Sequence, residues 1–322
     1  MKKCAIGIDL GGSKIALGVV DEEGRLLGKL RYDTDTRGGP GAVIKQIVKG
    51  VAQLERESAI SPSGIGIGVA GQVNPETGDV LFAPNLDWHD VPLGADVEKG
   101  CAIPVVVTND VRAALWGEWI FGAGRGAGDL LCVFIGTGIG GGIVCGGRVL
   151  EGCSNTAGEI GHITVDLSGP LCTCGNRGCM EALAGGWAIA RRTRESVEAD
   201  PVTGGTILRM AGGRVEDITA KTLAQAFHAG DALAGEIIKE VTDALAAGIA
   251  ALVNALNPCQ IILGGGVIEG MPELVSHIDK GVRRRALSAA TGRLAVCASK
   301  LGNDAGIIGA AALAMRTFSG SD

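Results

Sequence analysis

Several things are missing from this 322-residue chain, and each absence narrows what it can be. No basic run is longer than the three arginines at 283–285, and the formal net charge is −6. That balance excludes a broad cationic face for nucleic acid; the arginine run reads as a solvated helix face. No apolar stretch reaches the ~18–20 residues of a membrane helix. The segment "CAIGIDLGG" after the basic "MKK" is too short and too glycine-rich for a signal core. A cytoplasmic address is therefore expected, with neither nucleic acid nor membrane as partner. Ten cysteines in a chain of this size and address are not a disulfide framework. Seven are scattered singly, and Cys4, Cys132 and Cys145 sit in apolar strand-like runs as small buried hydrophobes. Aromatics supply only 3% of residues.

Glycine, in contrast, is abundant at 54 residues, and it falls in bursts beside β-branched runs. "GIDLGGSKIALGVVD" from Gly7 is the first burst. A Walker A loop reads GxxxxGK[ST] and enters a helix; here Lys14 follows a serine, and the next residues are strand-like. The segment reads as strand, tight glycine turn, strand. "LLCVFIGTGIGGGIVCGGRVL" from Leu130 repeats that pattern, which suggests two domains built on one plan. Between the two, "PGAVIKQIVKGVAQLERES" (40–58) spaces its apolar residues as an amphipathic helix. "SGIGIGVAGQV" reads as a strand leaving into a loop. "IPVVVTNDVRAALWGEWIFG" reads as a strand, a two-residue polar break and a helix. Later come a long helix ended by Pro258, a buried strand "QIILGGGVI", and the small-residue helix "AGIIGAAALAMRTF". Alternating strands and helices imply an α/β fold with layered sheets.

Three places carry candidate chemistry. Asn109 and Asp110 stand where an apolar strand delivers the chain to a helix. They read either as helix caps or as a ligand site at the carboxyl end of a strand, with Asp110 able to take a proton from a substrate hydroxyl. His162, Cys172, Cys174 and Cys179 are the donor set of a closed Cys3His zinc site. Gly175 and Gly178 supply the permissive backbone that a chain wrapping a metal needs; the other reading is three free thiols in a reducing compartment. Four protein ligands leave no position for water, so such a zinc organises its loop. Glu159 and Glu181 flank that loop, as surface charge or as acceptors for a ligand rich in hydroxyls. Asn85, in "PNLDWHDVPL", is a turn residue or a further ligand group.

These segments together resemble the ROK family of sugar kinases and repressors, within the actin-like/hexokinase-like ATPase superfamily. "DLGGSKIALGVVD" and "FIGTGIGGGIV" are similar to the family's two phosphate motifs, "GEIGH" and "CTCGNRGCME" to its ExGH and CxCGxxGCxE signatures. "IILGGGV" and "DAGIIGAA" match its later turns, so the resemblance runs nearly the whole chain. It implies two actin-like (ribonuclease H-like) domains with an interdomain cleft and a zinc-bearing loop. The expected division is 1–115, with a helix at about 305–322 packed back on it, and 116–304, with the zinc loop at 152–186.

The resemblance also implies ATP, Mg2+ and structural Zn2+ as cofactors, a small sugar as substrate, and a homodimer or homotetramer. Asp110 would be the catalytic base. Asn85, Asn109, Glu159, His162 and Glu181 would hold the other sugar hydroxyls. Asp9, Gly11, Gly12, Ser13 and Lys14 would face the phosphates and magnesium from the first turn. Gly136, Thr137, Gly138, Gly140 and Gly141 would face them from the second, and Gly264 and Gly265 would pass under the adenosine. Zinc would be held by His162, Cys172, Cys174 and Cys179, with His162 serving both metal and sugar.

The implied activity is ATP-dependent phosphorylation of a hexose, glucose to glucose 6-phosphate. The alternatives are N-acetylmannosamine or N-acetylglucosamine kinase and, in another class, a sugar-responsive regulator. The first glycine motif begins at the sixth or seventh residue, which leaves no room ahead of it for a helix-turn-helix. An ATPase serving an iron–sulfur cluster is disfavoured by the His-plus-three-Cys set. The chain departs from the common family pattern at Met180, where leucine is usual, and at Gly185, where a small hydroxyl residue is frequent.

Overall fold

The computed structural model describes residues 3–318. The chain divides into two compact units, one made of residues 1–126, 151–157 and 300–322, the other of 127–150 and 158–299. The α/β reading holds in both. No helix among the described residues is long and apolar enough to cross a membrane.

The first unit opens with β1 (Cys4–Leu10), β2 (Lys14–Asp21) and β3 (Leu26–Asp33), an antiparallel meander. Helix α1 (Gly39–Ser58) follows, with Pro40 in its first turn. It buries Val43, Ile47, Val51 and Leu54, the helical spacing read from sequence. Strand β4 (Ile65–Val69) lies parallel to β1. A small sheet of β5 (Gln72–Val73), β6 (Val80–Ala83) and β7 (Trp88–Val91) comes next. Helix α2 (Leu93–Cys101) leads to β8 (Val105–Asn109), which lies parallel to β4, and β8 runs directly into α3 (Asp110–Ile120). The expected two-residue polar break is absent because Asn109 is both the last strand residue and the helix cap. The main sheet order is β3-β2-β1-β4-β8.

The chain's last helix, Ala305–Phe318, lies against β1, β4 and α3. Glycines in the strands permit this: a Cβ on Gly7 would lie 1.8 Å from the Ile307 carbonyl oxygen, and one on Gly66 1.8 Å from that of Ala310. The run of alanines in the helix is the matching half of the same close approach. Glu118 on α3 is fully buried, and its carboxylate accepts the backbone N–H groups of Ala123, Lys300 and Leu301.

The second unit repeats the plan. Strands β9 (Leu130–Ile135), β10 (Ile139–Cys145) and β11 (Arg148–Val149) form an antiparallel meander. Residues 158–179 carry a 3-10 turn at Ile160–His162 and two isolated antiparallel bridges, Thr164 with Cys179 and Leu171 with Arg177. Six helices follow: α4 (Met180–Ala184), α5 (Gly186–Ala199), α6 (Gly205–Met210), α7 (Ala220–His228), α8 (Ala232–Leu256) and, after β12 (Gln260–Gly264), α9 (Gly266–Gly270). Then come α10 (Leu274–Arg285), α11 (Ser288–Thr291) and β13 (Ala295–Ala298). The sheet order is β11-β10-β9-β12-β13, with β9, β12 and β13 parallel.

Helix α8 is capped by the Asp231 side chain, which accepts from the Ala234 N–H, and it ends on Asn257 in the left-handed conformation just before Pro258. Its buried residues Ile237, Val241, Leu245, Ile249 and Val253 recur every fourth position and anchor the unit's core. The arginine run is on the exposed last turn of α10, where Arg283 donates to Asp279 and to the Thr291 and Leu294 carbonyls. Cys4 and Cys132 are buried as expected, but Cys145 is exposed, because β10 ends there beside the Gly146–Gly147 turn.

Candidate active site and metal centre

In the first unit the β1–β2 turn is closed by Gly11, whose N–H donates to the Lys14 carbonyl at 3.0 Å. Thr34 on the neighbouring strand end braces it: its N–H donates to the Ser13 carbonyl at 3.0 Å and its hydroxyl to the Gly11 carbonyl at 2.8 Å. Asn85 is brought to this turn, since a Cβ on Gly12 would lie 2.4 Å from the Asn85 carbonyl oxygen. Ser13 and Lys14 are exposed.

Asp9, on the end of β1 beside the turn, is the most perturbed carboxyl here. Burial, then the negative charge of Asp110, push it up to about 6 from 3.8, against the pull of Arg31 and Lys29. Asp9 and Asp110 are thus a pair of carboxylates close enough to repel. Two such groups beside a turn of backbone N–H groups suit a divalent cation carrying phosphate.

Asn109 is occupied as a cap. Its side-chain oxygen accepts from the N–H groups of Val111 (2.9 Å) and Arg112 (3.2 Å), and its Nδ2 donates to the Gly71 carbonyl. Asp110 also accepts from the Val111 N–H, at 2.9 Å. Asp110 heads α3, where the helix dipole favours negative charge. Arg112, two residues on, is buried, and it donates to the side chain and carbonyl of Asn155 in the segment 151–157.

In the second unit the β9–β10 turn is closed by the Gly136 N–H on the Gly138 carbonyl at 3.0 Å. Of the glycines read as phosphate-facing, Gly136 and Gly138 are in this turn. Gly140 and Gly141 lie beyond it in β10, where the missing Cβ of Gly141 makes room for Ile160. Glu181 reaches the turn: Oε2 accepts the Ile139 N–H at 2.8 Å, and Oε1 accepts the Trp187 indole N–H at 3.2 Å. Gly264 ends β12, and Gly265 has a left-handed φ of 88°, where a Cβ would lie 2.5 Å from the Ile135 carbonyl oxygen.

Beside the turn is a cavity of about 880 Å³, lined by Thr137, Trp187, Ala224, Gln225, Val267 and Met271 among others. Its volume suits a nucleoside. Sequence reasoning did not find the wall that α5 and α7 contribute to it. Those residues carry no motif, only the ordinary apolar periodicity of helices.

His162, Cys172, Cys174 and Cys179 come together as expected, with one ligand atom from each within 4.8 Å of the others. His162 turns Nδ1 toward Cys172 Sγ at 3.7 Å, and Cys174 Sγ lies 3.7 Å from Cys179 Sγ. Gly178, at φ 67°, is the residue the wrap demands, since a Cβ would lie 1.5 Å from the Asp166 carbonyl oxygen. Burial, then the neighbouring thiols, push the Cys179 thiol up to about 12, whereas backbone hydrogen bonding at Asn176 lowers that of Cys174. Three thiols and one imidazole brought this close together fit zinc, which binds the thiols as thiolates. Glu159 is exposed and heads the same 3-10 turn that carries His162.

The motif set, in this order and on these elements, matches one family model from residue 5 to residue 317, described as the ROK family. The chain belongs to the ROK family. Its His/Cys3 cluster is typical of the ROK zinc motif. A glucokinase of Streptomyces coelicolor is 38% identical over 312 residues, 96% of each chain. A solved ROK family glucokinase from Streptomyces griseus, in complex with glucose and AMPPNP, superposes with a TM-score of 0.85 at 38% identity, covering 97% of this chain and 99% of that one. A ROK family transcriptional regulator, a homologue of the E. coli MLC protein, has a TM-score of 0.86 at 28% identity, covering 99% of this chain and 79% of that one. The ROK fold thus carries both kinases and regulators.

Proposed function

We propose that this ROK protein is an ATP-dependent sugar kinase that converts glucose to glucose 6-phosphate. The observation that carries the reading is the pair Asp9 and Asp110, beside a braced glycine turn, with Asp110 at the head of α3. The full-length likeness to glucokinases supports the choice of sugar.

In this reading Asp110 accepts the proton of the sugar's 6-hydroxyl as that oxygen attacks the γ-phosphorus, and the bond to the ADP oxygen breaks. Asp9 would hold the magnesium that neutralises the triphosphate. The N–H groups of Gly11–Lys14 and of Gly136–Gly138 would contact phosphate oxygens, with the base in the cavity beside Thr137 and Trp187 and with Gly264 and Gly265 beneath the adenosine. Asn85, Asn109, Glu159, His162 and Glu181 would hold the remaining hydroxyls, His162 through Nε2 because Nδ1 faces the thiols. Zinc on His162, Cys172, Cys174 and Cys179 would supply loop geometry and no activated water.

ADP release from Mg-ATP, followed with glucose, mannose, fructose, N-acetylglucosamine and N-acetylmannosamine, tests the reading. Strong turnover with glucose is expected. Turnover only with an N-acetyl sugar moves the substrate to the hexosamines while keeping the chemistry. Silence with all five, in zinc-loaded protein, overturns the kinase reading.

A further inference from the structure

The second glycine turn is held by one short stretch of chain that begins at a metal ligand. Cys179 caps α4, and Glu181 is two residues on. From there Glu181 accepts the Ile139 N–H through one oxygen and the Trp187 indole N–H through the other. Two residues of α5 complete the attachment: the Gly186 N–H donates to the Gly136 carbonyl at 3.0 Å, and the Trp187 N–H to the Thr137 carbonyl at 2.9 Å. Two consecutive turn residues, Gly136 and Thr137, and the first residue of β10, Ile139, therefore hang on Glu181–Trp187.

The fit is close on every side. A Cβ on Gly138 would lie 2.3 Å from Glu181 Oε2, and one on Gly185 would lie 3.0 Å from Glu181 Cγ. Arg191 lies over the Trp187 ring, 5.1 Å from its centre, and donates to the Ala182 carbonyl, which ties the ring back to α4. Trp187 in turn lines the cavity beside the turn.

We infer that Glu181 is a positioning residue that couples the metal loop to the phosphate turn, so that zinc and nucleotide bind cooperatively. The inference rests on the reading of this turn and cavity as the nucleotide site. Metal at Cys179 fixes the start of α4, and α4 fixes the carboxylate. The carboxylate and Trp187 fix the N–H groups and the wall that a nucleoside triphosphate would meet. A turn already held costs less ordering on binding, and by linkage the nucleotide must then strengthen zinc binding by the same factor.

The test measures zinc affinity by competition with a zinc-selective chelator, with and without Mg-AMPPNP, in wild type, Glu181→Gln and Trp187→Phe. Nucleotide binding to the zinc-loaded wild type is measured by calorimetry. In wild type, Mg-AMPPNP is expected to tighten zinc by at least about fivefold. Glu181→Gln replaces one accepting oxygen by an NH2 group, and Trp187→Phe removes only the indole N–H; in both, the factor is expected to fall toward unity while metal stoichiometry is kept. A residue that merely stabilised the unit would change zinc affinity equally with and without nucleotide, leaving the factor intact. Full retention of the factor in both variants overturns the role of Glu181. Calorimetric binding of nucleotide with no effect on zinc overturns the coupling and leaves the kinase reading standing. No nucleotide binding to the zinc-loaded wild type removes both.

Discussion

The β1–β2 turn and the β9–β10 turn join the same two strands of identically ordered sheets, yet they are fastened by different means. The first is braced by its own neighbourhood: Thr34 follows β3, and it grips Ser13 and Gly11 through one N–H and one hydroxyl. The second has no such neighbour on its adjoining strand β11, which is two residues long. Its support comes from Glu181, Gly186 and Trp187, some 42–50 residues downstream and just after a metal ligand. A duplicated local plan therefore does not imply a duplicated mechanism of support. One turn is a product of its meander, the other of a metal loop.

The comparison can be broken in three ways. The largest effect is expected from Asp110→Asn, which removes the proposed base beside the first turn. Turnover falls by roughly 10²–10⁴-fold, while calorimetry finds sugar binding and circular dichroism finds the fold retained. Near-normal turnover would remove Asp110 from that role and leave the first turn a binding device like the second.

Next in size is Cys174→Ser, or removal of zinc by chelation. Metal content falls, and the Ile139 and Gly186 amides lose protection from hydrogen exchange, while the Gly11 and Thr34 amides keep theirs. Equal loss at both turns would mean that the two are not independently fastened.

The smallest effect concerns Asp9. Its carboxyl is raised to about 6 in the folded chain, so without magnesium the wild type holds more protons folded than unfolded between about pH 4 and 6. Its stability falls as pH rises through that window. Asp9→Asn has no such loss, and it is expected to melt higher than wild type at pH 8, by on the order of 1–3 kcal/mol, with little difference at pH 4. An unchanged difference across pH would show that neither burial nor Asp110 raises the Asp9 carboxyl.

Much of this was legible without coordinates. Both hairpins, the amphipathic α1, the α8 stop at Asn257–Pro258 and the small-residue last helix follow from local rules of period, capping and backbone freedom. The zinc donors were legible because thiols and one imidazole at short spacing have little other use together. Asn109 and Asp110 were legible as a pair, and the capping half of their description is visible in the hydrogen bonds of Asn109. The fastening of the second turn was not legible. Glu181 reads from sequence as surface charge or as a sugar ligand, and nothing near it in the chain points to the N–H groups of Ile139 and Trp187 that its two oxygens accept. Nor was the return of residues 151–157 to the first unit, where Arg112 and Asn155 meet across 43 positions of sequence.

The sequence by itself determined the elements, their order, the two glycine turns and the metal ligands, since each depends on neighbours a few residues away. Only the tertiary structure decided what each polar atom meets: that Asp9 lies within the field of Asp110, that Glu181 serves a backbone N–H, that Glu118 receives the amides of Lys300 and Leu301. The physical reason is that periodicity reports whether a side chain faces core or water. A hydrogen bond or a charge pair needs a partner at a few ångströms, and packing of distant segments alone supplies it.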